Sequence, residues 1–484
     1  MGDRQYQKEG NEQILYHFAS GIKRVMLKVP TGGGKTHMFA ELIKRCHDKQ
    51  SHSAMIVRGR ELVQQASDRL AREGVDHGVM MAGHPLYNPR AKTQVCSIDT
   101  LVSRGTFPRA EFVVFDEAHL CTSKGFLECA KHYKDSYILG VSATPYSHKS
   151  LRHIAEVVVE PTSVQKLINQ GFLVDAEYYA PSTPDLQGVG VSRATRDYKQ
   201  DDLAKAMNKS FLVGDIVSHW KTLAQDKPTL VFATSIAHSK QIAQAFRDQG
   251  INFVHCDADT SLKDRQIAKD ALKSGQLQGI VNVGIFCVGS DIPCLGCIVM
   301  ARPTKSYNLH IQQLGRGTRP YDGKNRFIVL DHAGNLSRHG FITSDKEVDL
   351  DGIKQEERAA GVRVCDECFT CYPNTQPSCP SCNHKNTPKA GTKAEVEQVD
   401  GQLRRVKTES EVIDPVAKRI GELKETQKKK GYKRGWVFYQ IAGEFGIDVA
   451  QKHMPQRTIP KWLQAKIDKG AISEQLKSAR ETKK

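Results

Sequence analysis

The sequence predicts an α/β protein with two tandem parallel-sheet domains. Three observations carry this. Short apolar runs alternate with amphipathic runs of helical spacing. The alternation stops for about fifty residues and then resumes. A glycine-rich turn ending in Lys-Thr joins an early apolar run to a helical one. Buried strands alternating with helices imply a parallel sheet covered on both faces.

In the first third, VMLKV (25–29), AMIVR (54–58), FVVF (112–115) and YILGV (137–141) read as buried strands. Between them, HMFAELIKRC (37–46) and ELVQQASDRLARE (61–73) place apolar residues at helical spacing. Turn formers without periodicity, as in PSTPDLQGVGVSRATRD, make 161–210 a connector. The strand pattern returns at TLVFA (229–233), INFVH (251–255), GIVNV (279–283), CIVMA (297–301) and FIVLD (327–331). The domains fall at 1–165 and 211–345, with a connector at 166–210. A cysteine cluster (363–386), a polar linker (387–430) and a basic helical module (431–484) follow.

VMLKV-PTGGGKT-HMFAELI has the strand, turn and helix order of a phosphate-binding loop. Thr31, Gly32, Gly33 and Gly34 let backbone N–H groups converge on phosphate oxygens. Lys35 reaches the β- and γ-phosphates and Thr36 holds Mg²⁺. Val29 stands where the general pattern GxxxxGK[ST] has its first glycine. FVVFDEAH then ends an apolar strand in two carboxylates. Asp116 suits Mg²⁺, and Glu117 suits orientation and activation of the attacking water.

VPTGGGKT, DEAH, VSATP (141–145), VGSDIP (288–293) and QQLGRGTRP (312–320) stand in the order of superfamily 2 helicase motifs. The match covers about residues 4–331. It resembles the DEAD/DEAH branch that includes XPB and UvsW, in the type encoded by phages and prophages. The resemblance implies two RecA-like domains that clamp ATP between them. Lys35, Thr36, Asp116 and Glu117 belong to the first. Gln7, with Arg4 nearby, is similar to the family's adenine-reading element. The second supplies Arg316 and Arg319 across the cleft, Gln312 as a nucleotide sensor, and Gly289 and Asp291 near the ribose. His119, Ser142 and Thr144 would link the ATP site to the nucleic-acid site.

The family's gripping motifs resemble VRGRELVQQ (57–65), SIDTL (97–101) and FATS (232–235). They imply Arg58, Arg60, Thr100 and Ser235 near phosphates, with Arg302 and Thr304 of ARPTKS in addition. Such contacts address phosphate and sugar, so little base specificity is expected. The resemblance favours 3′→5′ movement on DNA. RNA remains an alternative substrate, because the motifs overlap with those of RNA helicases. No nuclease constellation is visible, which makes a restriction-type motor subunit the weaker reading.

Cys365-x₂-Cys368-x₁₀-Cys379-x₂-Cys382 gives two thiolate pairs suited to tetrahedral Zn²⁺ in a small ribbon. Cys368 and Cys371 also form a C-x₂-C, so that pair competes with Cys365 and Cys368. About 25 residues cannot bury enough surface to fold unaided, so metal would supply the ribbon's stability. Its role is either a structural clip or a contact with nucleic acid or a partner. Cys294-x₂-Cys297 has no partner pair nearby and reads as buried structural cysteine. His238, His310 and His332 lack ligand spacing and read as packing or capping residues.

The formal charge of the 484-residue chain is +16. Residues 385–484 hold 23 Lys/Arg against 13 Asp/Glu. A basic balance of this kind suits a polyanion. KKKGYKRGWVFYQIAGEFG (428–446) interleaves basic residues with aromatics. The lysines suit phosphates, while the aromatics suit either base stacking or a small helical core. No apolar run reaches the roughly 18–20 residues of a membrane span, and MGDRQYQKEG lacks a signal core. The thirteen cysteines suit a reducing compartment, here the cytoplasm of a phage-infected bacterium.

The expected function is an ATP-dependent DNA helicase or translocase in phage replication, recombination or repair. Three rivals stand beside it. They are a double-strand translocase or branch-migration enzyme, an RNA helicase, and a module that recruits a replication or recombination protein with its ATPase as a switch.

Overall fold

In a computed structural model, the described residues are 4–180, 186, 188–192, 195–207, 210–287, 291–344 and 346–352. Beyond these come 362–364, 371–373, 404–406 and scattered positions to 440. Residues 1–408 form one compact unit with two lobes.

Lobe 1 is a seven-stranded parallel sheet in the order β3-β4-β2-β5-β6-β1-β7. Its strands are β1 (Arg24–Lys28), β2 (Ser53–Val57), β3 (Gly78–Met80), β4 (Thr93–Ser97), β5 (Phe112–Asp116), β6 (Tyr137–Ser142) and β7 (Val157–Val159). Its helices are α1 (Gln5–Ala19), α2 (Lys35–Asp48), α3 (Arg60–Arg72), α4 (Ile98–Arg104), α5 (Lys124–His132) and α6 (Val164–Asn169). The apolar stripe read in α2 is buried as Met38, Phe39, Ala40, Leu42 and Ile43. Register decides where the chemistry sits. Lys28 of β1 lies beside Ser142 of β6, and Val141 lies beside Asp116 of β5. The glycine turn, the carboxylate pair and the VSATP run therefore leave the sheet at one carboxyl edge, where open α/β sheets hold their ligands.

Lobe 2 is built on β8 (Asp175–Ala180), β9 (Thr229–Phe232), β10 (Phe253–Cys256), β11 (Gly279–Asn282), β12 (Cys297–Met300) and β13 (Arg326–Asp331). These six strands run parallel in the order β10-β11-β9-β12-β13-β8. The helices are α7 (Gln200–Met207), α8 (Ser210–Leu223), α9 (Ile236–Asp248), α10 (Leu262–Ser274), α11 (Tyr307–Leu314) and α12 (Asn335–His339). Beyond β8, short strands β14 (Val362–Val364), β15 (Cys371–Pro373) and β16 (Arg404–Val406) continue the sheet in the order β16-β15-β14. Trp220, Phe246 and Phe253 lock one face of the lobe, with the indole edge-on to both phenyl rings at 5.4 Å.

The stretch read as a connector contains α6, β8 and α7, and β8 pairs along β13 as a full member of the second sheet. Strands β3, β4 and β7 were also absent from the sequence pattern. Cys294 and Cys297 are buried, and burial raises both thiols above their ordinary range. His238 and His310 are buried too, held by Thr234 Oγ1 at 2.9 Å and Gly340 O at 3.0 Å. His332 lies against His219, with ring centroids 5.3 Å apart.

The zinc-ligand candidates Cys365, Cys368, Cys379 and Cys382 lie outside the described residues, as do most of the polar linker and the basic module. Residues 409–484 form a second unit, described at isolated positions where Ile420, Leu423, Val437 and Phe438 are buried. Among the described residues, no helix is long and apolar enough to cross a membrane.

Candidate active site between the two lobes

The glycine turn is shaped by contacts that leave no room for side chains. Gly32 and Gly34 have φ of 82° and 84°, a left-handed region that glycine enters without cost. A Cβ on Gly33 would stand 2.9 Å from Pro30 O, and one on Gly34 would stand 2.3 Å from Gln7 Nε2. α2 starts at Lys35 with no side-chain cap on its first turn. His37 N donates to Gly34 O at 3.0 Å, while the N–H groups of Lys35 and Thr36 have no acceptor among the described residues and are open to an anion, which the helix dipole also favours.

Lys35 Nζ lies 3.7 Å from Glu117 Oε1. Burial and the neighbouring Glu117 charge push the Asp116 carboxyl up to about 6, with Lys35 opposing them. Burial works the same way on Glu117, but Lys35, His119 and Arg316 outweigh it and hold that carboxyl below its ordinary value. Glu117 itself is left-handed at φ 49° and ψ 49°, unusual for a residue with a Cβ. Holding it there costs on the order of 1–3 kcal/mol, which the surrounding structure must offset. Its Oε2 is buried and accepts no hydrogen bond among the described residues.

Lobe 2 faces this group with α11 and the turn after it. Arg316 is buried and donates to Cys287 O at 2.8 Å. Burial first, then Arg319, lower its pKa to about 10, so it stays charged at neutral pH. Arg319 pairs with Asp291. Gln312 Nε2 stands 3.3 Å from His119 Nε2. An amide nitrogen only donates, so His119 accepts there and carries its proton on Nδ1. That nitrogen lies 2.9 Å from Ser142 Oγ, which also accepts from Thr144 N at 3.0 Å. Burial keeps His119 neutral. A hydrogen-bonded chain thus runs from Gln312 in lobe 2 through His119 and Ser142 to Thr144 in lobe 1.

These groups surround a cleft of about 570 Å³. Its walls include Thr31, Gly32, Gly34, Lys35, Thr36, Asp116 and Glu117 from lobe 1, and Asp291, Gln312, Arg316 and Arg319 from lobe 2. Gly33, Arg4 and Gln7 sit behind the loop instead. Gln7 Nε2 donates to Gly33 O at 3.3 Å, its Oε1 accepts from Arg4 N at 3.0 Å, and the Arg4 guanidinium lies 4.1 Å from the Phe172 ring centroid. Gly289 lies outside the described residues.

Sequence reasoning missed one wall of the cleft. Gln65, Asp68, Arg69 and Arg72 of α3 face Gln266 and Lys269 of α10. The four α3 positions follow the i, i+3, i+4, i+7 rule, so their helical spacing was a usable signal.

The residues expected near phosphates are more scattered. Arg58 and Arg60 are exposed, with Arg58 3.6 Å from Asp99. Thr100 is buried in the first turn of α4. Ser235 caps α9, accepting from His238 N at 3.2 Å. Thr304 is fully buried and donates to Asp197 Oδ2 at 2.8 Å, while Arg302 lies 3.6 Å from the same carboxylate. Asp197 belongs to the stretch read as a connector, and no local pattern marked it.

Two parallel-sheet lobes, a phosphate-binding loop and arginines facing it across a cleft define the ATPase core of a nucleic-acid motor. Residues 1–147 match the family model for the type III restriction enzyme res subunit, and residues 210–320 match the helicase conserved C-terminal domain. These matches, with a relative named as an ATP-dependent helicase, support an ATP-dependent helicase.

A 51.5 kDa protein of a Lactococcus phage is 24% identical over 423 residues, covering 86% of this chain and 88% of its own length. A Saccharomyces cerevisiae protein named as the ATP-dependent helicase IRC3 is 28% identical over 69% of this chain, which spans 52% of that protein. Among solved structures, a fragment described as an HsdR subunit of a type I restriction enzyme from Vibrio vulnificus aligns with a TM-score of 0.55 at 16% identity. It covers 73% of this chain and 67% of the fragment. The ATP-dependent type ISP restriction-modification enzyme LlaBIII bound to DNA aligns at 0.52 and 17% identity, over 68% of this chain and 27% of that enzyme. At these identities the structural likeness concerns the fold.

Proposed function

We propose that the chain moves along DNA, 3′→5′, and unwinds or remodels it during phage replication, recombination or repair. The observation that carries this is the cleft itself. Glu117 and Lys35 stand on one lobe, Arg316 and Gln312 on the other, and nucleotide held between them ties lobe closure to hydrolysis. ATP touching both lobes favours the closed arrangement, and losing the γ-phosphate releases it. If each lobe grips the strand separately, repeated closure moves the protein along it. The phage relative, aligned over most of both chains, supports the phage setting. The order of motifs supports the XPB and UvsW branch.

In this reading the open N–H groups of α2 and Lys35 bind the β- and γ-phosphates. Glu117 accepts a hydrogen bond from the attacking water and takes its proton. Arg316 and Arg319 stabilise charge on the γ-phosphoryl oxygens. The His119–Ser142–Thr144 chain carries the state of the cleft to the strand-gripping face. Thr36 and Asp116 fit Mg²⁺: the Asp116 carboxyl is held near 6 by burial and by Glu117, so a cation beside it would restore its ionised form. When bound, the metal held by Thr36 and Asp116 would offset negative charge on the nucleotide.

A second reading is a double-strand translocase that remodels junctions without processive strand separation. The restriction enzyme that shares the fold is described as bound to DNA, which suits either reading. Strand-displacement assays on forked, Holliday-junction and blunt duplex DNA, with a matching RNA duplex, test the proposal. Displacement of forked DNA with a 3′ tail is expected. Junction migration without displacement would favour the translocase, and activity on the RNA duplex alone would overturn the DNA assignment.

We also propose that Cys365, Cys368, Cys379 and Cys382 bind one structural Zn²⁺, on the support of their spacing. Cys368 belongs to both candidate first pairs, so the choice lies between Cys365 and Cys371. Zinc content measured on Cys365→Ser and Cys371→Ser decides between them. Loss in Cys365→Ser alone is expected, and loss in Cys371→Ser alone would assign the first pair to Cys368 and Cys371.

A further inference from the structure

After lobe 2 the chain turns back onto lobe 1. Phe341 and Ile342 are buried on the lobe 2 side, where Tyr178 OH lies 3.1 Å from Ile342 N and Tyr307 OH donates to Ser344 O at 2.7 Å. Two residues later Lys346 O accepts from Tyr146 OH at 2.7 Å and from Lys28 Nζ at 3.2 Å, both in lobe 1. Leu350 is buried in the lobe 1 core beside Leu151 and Ile154. Its carbonyl accepts from Leu151 N at 2.7 Å and Ser150 Oγ at 3.2 Å. Arg152 grips Asp351 with two nitrogens, at 3.0 and 2.9 Å.

This strap meets the root of α11. The Lys346 ammonium lies 3.8 Å from the Tyr307 ring centroid, and Tyr307 packs edge-on to Tyr146 at 5.2 Å. Asn308 Nδ2 donates to Tyr146 O at 2.7 Å. Asn308 and Gln312 are four residues apart, hence on one helix face. Both touch lobe 1, Asn308 at Tyr146 and Gln312 at His119. Two contacts about one turn apart fix the direction of α11, and Arg316 follows directly after its end.

We propose that Asn308, Tyr146 and the strap 346–351 are positioning residues for hydrolysis, docking α11 on lobe 1 so that Arg316 meets the γ-phosphate at the right distance. This rests on reading Arg316 as the group that stabilises that phosphate.

The test measures single-turnover ATP hydrolysis and equilibrium ATP binding on the intact chain carrying Leu350→Asp, Asn308→Ala, the volume-conserving Leu350→Met, or Arg316→Ala. Displacing a catalytic group by about 1 Å can cost up to roughly a hundredfold in rate. Leu350→Asp and Asn308→Ala should therefore hydrolyse about ten- to a hundredfold more slowly, with ATP affinity within about twofold of the parent. Leu350→Met should match the parent. Parent rates in folded Leu350→Asp and Asn308→Ala would overturn the inference, and so would equal losses of affinity and rate in Asn308→Ala. A parent rate in Arg316→Ala would instead overturn the reading of that arginine, leaving the docking contacts to be judged by the other variants.

Discussion

Glu117→Gln is expected to stop ATP turnover while the protein stays folded and binds ATP. Glutamine keeps the shape of the side chain and removes its ability to take a proton. General-base assistance is worth about 10²–10⁴ in rate, so turnover should fall by at least a hundredfold. The left-handed backbone at Glu117 is set by the turn, not by the carboxylate, so the fold should tolerate the change. Lys35, 3.7 Å from this carboxylate, loses a competing anion and keeps its hold on phosphate. Lys35→Ala removes the phosphate contact itself, and both turnover and ATP affinity should fall. Steady-state ATPase assays with circular dichroism check both variants. Normal turnover in either would sink the site assignment.

Arg316→Ala should separate hydrolysis from binding. In related nucleotide hydrolases an arginine reaching across to the γ-phosphate is worth about 10³–10⁵ in rate, or roughly 4–7 kcal/mol. Its charge acts mainly on the transition state, so kcat should collapse while ATP affinity changes little. Its burial sharpens this expectation, because a charge held away from water interacts more strongly with a developing charge. Cys287 O holds the guanidinium in place, so little reorganisation is needed at the moment of reaction. Equal losses of affinity and rate would make Arg316 a ground-state anchor.

Much of this site is legible in the sequence because its parts are local. The strand, glycine turn and helix around Lys35 occupy about twenty consecutive residues. Asp116 and Glu117 end an unmistakably apolar strand. The missed strand β4 shows the limit of hydropathy. TQVCS is buried at all five positions, yet only Val95 and Cys96 are apolar. Thr93 and Gln94 are tolerated inside because Ser53 Oγ meets Thr93 Oγ1 at 3.2 Å and Gln94 Nε2 donates to two carbonyls at 2.8 Å. β8 was hidden in the same way among Asp, Glu and Tyr, inside a stretch dominated by turn formers.

Contacts distant in sequence leave no local trace. Gln312 meets His119 across 193 positions, and Tyr146 meets Lys346 across 200. Asp197 fastening Thr304 belongs to the same class. Sequence order places Thr304 beside Arg302 in a plausible gripping loop, and only the folded chain reveals the carboxylate that occupies both.

The central claim is that hydrolysis in the cleft between the lobes serves movement on DNA. ATPase activity of the intact chain tests it most directly, measured alone and with single-stranded, forked and duplex DNA or single-stranded RNA, with Glu117→Gln as the blank. Activity should rise several-fold with DNA, most with forked or single-stranded forms, and vanish in the blank. Turnover that no nucleic acid changes, or that survives in Glu117→Gln, would contradict the account.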